Sequence, residues 1–146
     1  MRFWDTSAII ALVLDEVSST IARRALASDS EMVVWWATSV ECTAAIARAE
    51  RDRRIDSPRT TDALAGLRLL HSGWLQIDAT ARLREVAERL TRSHPLRAAD
   101  TLQLAAATVA AEGRPASLPF VTLDDRLALA ADREGFPIVR FEATSA

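Results

Sequence analysis

No lysine occurs among the 146 residues; all 18 basic side chains are arginine. That excludes a P-loop, whose lysine reaches the nucleotide phosphates. It also counts against an aspartate site of the phospho-receiver or aspartyl-phosphatase type, which recruits a lysine to balance the phosphate. Cys42 is the only cysteine, so an internal disulfide and a cysteine-built zinc cage are both excluded; it reads as a small core residue. The two histidines, His71 and His94, lie 23 positions apart and form no helical metal pair. One is near a helix end and the other in an "SHP" loop, so both read as surface residues. A metal-free ribonuclease mechanism using one histidine as base and one as acid stays formally open. Four glycines in the whole chain weaken a flavodoxin-like reading, which calls for a phosphate-cradling Gly-rich or Ser/Thr-rich loop after the first strand.

Long apolar runs are also missing. Residues 8–14 make the longest candidate for a targeting signal, but Asp5 precedes it and Asp15 and Glu16 follow it. A secretory signal has a basic leader and a longer apolar run, and a membrane span needs about 20 apolar residues. The expectation is a cytoplasmic protein with no membrane partner. A chain of this length is most simply one domain, 1–146, able to bury a sizeable core. Its 49% hydrophobic and 26% charged content is ordinary for a globular protein. The net charge of −2 discourages a nucleic-acid partner. Total charge says little about local charge, however, and if four acids belong to a metal site the remainder is +2.

Short apolar segments alternate with longer helical patterns. Strand-like runs fall at 3–4, 32–35, 75–77, 120–122 and 138–141. Helical patterns cover about 6–14, 18–28, 38–53, from 57 onward, 80–92, 96–112 and 125–134. Pro58 suits the first turn of the fourth helix, and Gly113 stops the sixth. This alternation implies an α/β fold, with a small parallel sheet covered by helices on both faces.

Against that pattern, "RFWDTSAIIAL" places Asp5 at the joint of the first strand and first helix. Glu41, in "ATSVECTAAI", lies in the first turns of the helix after the second strand. Asp124 follows the strand "FVT" at another such joint. In parallel sheets the C-terminal strand ends and helix N-termini share one edge, where ligands bind. Asp100, in "LRAADTLQLAAATVAAEG", heads a stripe continued by Leu104, Ala107 and Ala111. A carboxylate on an apolar stripe is costly to bury without a partner. Singly, each acid has a plain alternative: Asp5, Asp124 and Asp125 as helix caps, Asp100 as a first-turn dipole residue, Glu41 as an exposed helix glutamate. Together they fit less well, because two carboxylates about 4 Å apart repel by about 4 kcal/mol at an effective dielectric near 20. Four converging acids call for raised pKa values or a cation, and hard oxygen donors suit Mg²⁺ or Mn²⁺.

The segments "WDTSAI", "SVEC", "RAADTLQLAAA" and "FVTLDDRLALAA", in this order and at this spacing, resemble a PIN-domain ribonuclease, most of all the VapC-type toxins of bacterial toxin–antitoxin pairs. The resemblance covers nearly the whole chain. It implies a three-layer α/β/α fold and places the family's four acidic positions on Asp5, Glu41, Asp100 and Asp124. The supporting polar positions fall on Thr6 and Ser7, and the Thr of the T-x-D element is Thr122. That spacing favours Asp124 over Asp125 as the fourth acid. It further implies Mg²⁺- or Mn²⁺-dependent cleavage of RNA, a homodimer, and an antitoxin that holds the enzyme inactive.

Arg97 and Arg126 are candidates for RNA phosphate contacts, with a solvated surface role as the alternative. Trp35 and Trp36 read as core or dimer packing, with base stacking the second choice. The rival function is a non-catalytic RNA- or protein-binding domain of the same fold.

Overall fold

The run Met32–Trp35 (β2) is wholly apolar and wholly buried, the mark of a strand covered on both faces. It lies beside Arg2–Trp4 (β1) and Leu75–Ile77 (β3), and Phe120–Val121 (β4) completes the sheet. The computed structural model describes residues 1–14 and 19–140. All strand pairs are parallel and the spatial order is β3-β2-β1-β4. Phe3 is level with Val33 and Phe120, and Trp4 with Val121.

Because side chains alternate along a strand, the sheet divides the core in two. Phe3, Val33, Trp35 and Phe120 face Ala81–Ser93 (α5), Ala98–Ala111 (α6) and Asp125–Arg133 (α7). Trp4, Met32, Val34 and Val121 face Thr6–Leu14 (α1), Ser19–Ser28 (α2), Thr38–Arg51 (α3) and Ser57–His71 (α4). Each large apolar side chain buried in this way contributes about 1.5–3 kcal/mol. The three-layer α/β/α architecture expected from the alternation is the one observed. Among the described residues, no helix is long and apolar enough to cross a membrane.

Local signals set the helix ends. Asp56 caps α4 through Arg59 N at 2.9 Å, with Pro58 in the first turn. Thr80 caps α5 through Leu83 N at 3.1 Å. The helix α6 stops where Glu112 and Gly113 take φ of 49° and 77°, a left-handed turn that glycine adopts readily. Cys42 is buried, and its thiol is pushed up to about 12 by burial, with the charges of Glu41 and Asp5 adding to the effect.

Several expectations change. Helices α3, α5, α6 and α7 differ by one or two residues at their ends from the sequence reading. The expected start of α2 at Ser18 lies outside the described residues. The strand expected at 138–141 is reduced to one bridge, Ile138 to Phe120, while Phe141 lies outside the described residues. A short 3₁₀ turn, Pro115–Ser117, had no clear signal. His94 is not a surface residue: it is buried, with Nε2 2.6 Å from Glu134 Oε1. His71 is exposed and stacks on Trp74. The two neighbouring tryptophans separate, Trp35 into the core and Trp36 into solvent.

Candidate functional site

The β1 strand lies between β2 and β4: the chain runs from β1 through β2 to β3 on one side, then crosses back to place β4 on the other. Such a switch point opens a crevice at the C-terminal strand edge. Asp5 follows β1 directly, and Asp124 follows β4 by way of Thr122 and Leu123. Glu41 is in the first turn of α3 and Asp100 in the first turn of α6. All four acids, with Thr6, Ser7 and Gln103, line one open cavity of about 510 Å³. Four segments far apart in the chain therefore meet at one rim.

Asp5 is only 4% exposed. Its Oδ1 accepts from Ser7 Oγ at 2.8 Å and, more weakly, from Ala8 N at 3.4 Å. It therefore caps α1 and lines the cavity at once. Ser7 Oγ also accepts from Leu123 N at 2.9 Å and lies 3.3 Å from Thr122 Oγ1, which accepts from Asp124 N at 3.0 Å. These two hydroxyls tie the ends of β1 and β4 together. Burial raises the Asp5 carboxyl to about 7, against the opposing effect of the hydrogen bonds from Ser7, Ala8 and Thr122.

Glu41 is held by a different set. Thr6 Oγ1 donates to Glu41 Oε2 at 2.7 Å. Gln103 Nε2 lies 2.9 Å from Thr6 Oγ1, 3.1 Å from Glu41 Oε2 and 3.3 Å from Thr38 Oγ1. An amide has two N–H donors, so these three acceptors share them. Gln103 is buried, and sequence reasoning passed over it. The available signal was the one amide in an alanine- and leucine-rich helix, one turn beyond Asp100.

Asp100 is half-buried, and its carboxyl is raised first by burial and then by the negative charge of Asp124; Arg97 and Arg126 oppose the shift. Asp124 also caps α7, accepting from Leu127 N at 3.0 Å. Asp125 is exposed and does not line the cavity. Arg97 and Arg126 are exposed, and their charges bear on Asp100 from neighbouring helix N-termini.

The PIN domain pattern matches residues 2–133, from β1 to the end of α7. The chain belongs to the PIN domain family. No curated protein matches the sequence. Among solved structures, this PIN domain is similar to a chain of a toxin–antitoxin complex from Klebsiella pneumoniae, with 20% identity, TM-score 0.60, and coverage of 96% of this chain and 97% of that one. FitAcB from Neisseria gonorrhoeae gives 18% identity and TM-score 0.62 over 96% and 97% of the two chains. A protein of Pyrobaculum aerophilum gives 23% and 0.63 over 94% and 83%. Identities of this size speak to the fold.

The donor set of the PIN domain cavity suits a hard divalent cation. It offers carboxylate oxygens, with Asp5 and Asp100 both raised by burial and Asp100 also by a neighbouring like charge. A cation relieves that penalty. Among the described residues no group of three or more acidic, histidine or cysteine side chains is placed close enough to hold a metal ion. Mg²⁺ does not need such a group, since it keeps several waters and binds through one or two carboxylates and substrate phosphates.

Proposed function

We propose that this PIN domain is an endoribonuclease dependent on Mg²⁺ or Mn²⁺, the toxin of a VapC-type toxin–antitoxin pair. The observation carrying this reading is the meeting of Asp5, Glu41, Asp100 and Asp124 on one cavity at the sheet edge. One or two of Asp5, Glu41, Asp100 and Asp124 would hold the ion directly, and the others through its waters. Once bound, the ion supplies positive charge that activates water and stabilises the leaving oxygen of a phosphodiester.

The chain's own side chains supply the geometry. Gln103 and Thr6 hold the Glu41 carboxylate in one orientation. Ser7 and Thr122 keep Asp5 and the chain before Asp124 in register. Arg97 and Arg126 meet the RNA phosphates flanking the reacting one. Preorganised dipoles of this kind act without reorganising during the reaction. The toxin role draws support from the Klebsiella neighbour, itself described as part of a toxin–antitoxin complex. It implies a cytoplasmic homodimer silenced by its cognate antitoxin.

The test is cleavage of RNA by the purified, antitoxin-free chain. Cleavage should require Mg²⁺ or Mn²⁺, stop with EDTA, and fall by orders of magnitude in Asp5→Asn. Activity indifferent to EDTA would refute the metal-dependent reading. Binding of RNA or protein with no cleavage under any divalent ion would favour the non-catalytic domain.

A further inference from the structure

A second cavity, of about 390 Å³, lies against the α7 face formed by Arg126, Leu129, Ala130 and Arg133. These residues follow the i, i+3, i+4, i+7 spacing of one helical stripe. The opposite wall is the turn His94, Pro95 and Leu96, which leads into α6. The volume falls within the range of small-ligand sites, about 300–1,000 Å³. Among the described residues, no carboxylate lines it.

Its chemistry is cationic at both ends and apolar between. Arg126 and Arg133 are exposed at the two ends of α7, about 10 Å apart along the axis. Leu129, half exposed, and Leu96 supply an apolar surface between them. The wall is fixed: His94 Nε2 is bound to Glu134 Oε1 at 2.6 Å, and Glu134 Oε2 lies 3.4 Å from Arg89 Nη2. Burial pushes the Glu134 carboxyl up, but its hydrogen bonds with His94 and Arg89 outweigh this and hold it below its ordinary value. Glu134 is thus engaged by His94 and Arg89. Arg126 lines this cavity, and its charge bears on Asp100, which lines the four-acid one.

We infer that this cavity is a nucleotide subsite, in which Arg126 and Arg133 hold successive backbone phosphates and Leu96 and Leu129 receive an unstacked base of the single-stranded RNA leaving the four-acid site. The inference rests on the ribonuclease reading for the identity of its ligand. Charge complementarity favours a polyanion as occupant, and the enclosed apolar strip favours a single strand, whose bases are free to leave the stack.

The test uses a fluorescein-labelled single-stranded RNA and the purified chain in EDTA, with binding read by fluorescence anisotropy across a salt series. Arg133→Gln should raise Kd about three- to tenfold and reduce the slope of log Kd against log salt by about one. Arg68→Gln, an equal charge change on the exposed surface of α4, should leave Kd within about twofold. Leu129→Ala should weaken binding of the intact RNA but not of an abasic strand with the same backbone. Equal losses for Arg133→Gln and Arg68→Gln would overturn the subsite in favour of diffuse attraction. RNA binding unchanged by both Arg133→Gln and Leu129→Ala would overturn it outright. Adding Mg²⁺ separates this result from the catalytic reading. Cleavage with Arg133 indifferent would remove the subsite alone, whereas Arg133-dependent binding without cleavage would remove the catalysis alone.

Discussion

Gln103 Nε2 stands 3.1 Å from Glu41 Oε2 and 2.9 Å from Thr6 Oγ1, so one amide on α6 orients a carboxylate on α3 and a hydroxyl on α1. Removing it frees Glu41 to change rotamer and leaves Thr6 to satisfy Glu41 alone. Gln103→Leu keeps an apolar volume in a buried position but supplies no donor. It should lower RNA cleavage about 10–100-fold, the usual cost of losing a partner that orients a metal-binding side chain. Thermal melts with and without Mg²⁺ separate this from simple unfolding: the variant should stay folded while the Mg²⁺-induced rise in Tm shrinks.

Asp5 binds its proton more tightly in the folded chain than in the unfolded one, because burial raises its carboxyl from 3.8 to about 7. Its contribution to stability is therefore fully present below about pH 4 and is lost as pH rises through 7. In EDTA the loss should be on the order of 4 kcal/mol between those limits. Asp5→Asn keeps an oxygen for Ser7 and Ala8 to bond and carries no charge to desolvate. Chemical denaturation from pH 4 to pH 8 should show the wild type losing stability relative to Asp5→Asn. Parallel curves for the two proteins would contradict the buried, raised carboxyl.

The neighbouring acids Asp124 and Asp125 should behave differently. Asn caps helices about as well as Asp, so Asp124→Asn should keep stability within about 0.5 kcal/mol. It should nonetheless lose most RNA cleavage, because Asp124 lines the four-acid cavity. Asp125, exposed and turned away from that cavity, should tolerate the same change with cleavage nearly intact. Reversal of the two phenotypes would move the fourth acid to Asp125.

Stabilisation by Mg²⁺ provides an independent measure of the whole acid set. A ligand that binds only the native state at 100 times its Kd adds about 2.7 kcal/mol. The wild type should therefore melt higher in excess Mg²⁺ than in EDTA, and the gain should be smallest when Asp5 and Asp100 are both changed to Asn. A melting temperature unaffected by the ion would argue against any metal at this rim.

Much of this arrangement was legible because local rules decide it. The β2 and β3 runs stand where their apolar pattern puts them, and Asp5 and Asp124 fall at strand–helix joints that follow from the alternation. What escaped notice depends on partners distant in sequence. His94 is buried and bound to Glu134, 40 positions away, and nothing within its "SHP" turn announces that. Gln103 is a neutral mid-helix residue until α1 and α3 bring Thr6 and Glu41 to it. The expected last strand shrinks to one bridge because regular pairing does not continue beyond Ile138: Phe120 donates to Pro137 O, Val139 donates to Phe120 O, and the ladder ends there.

The β1 strand is the first to be made and among the last to be completed. Asp5 N donates to Val121 O at 3.2 Å, so the edge of β1 beside the acids lacks its neighbour until β4 exists. A growing chain carries Asp5 and Glu41 long before Asp100 is added, and all three before the strand that aligns them with Asp124. That order of assembly delays the four-acid rim, which stays open until β4, the last strand of the sheet, has been made.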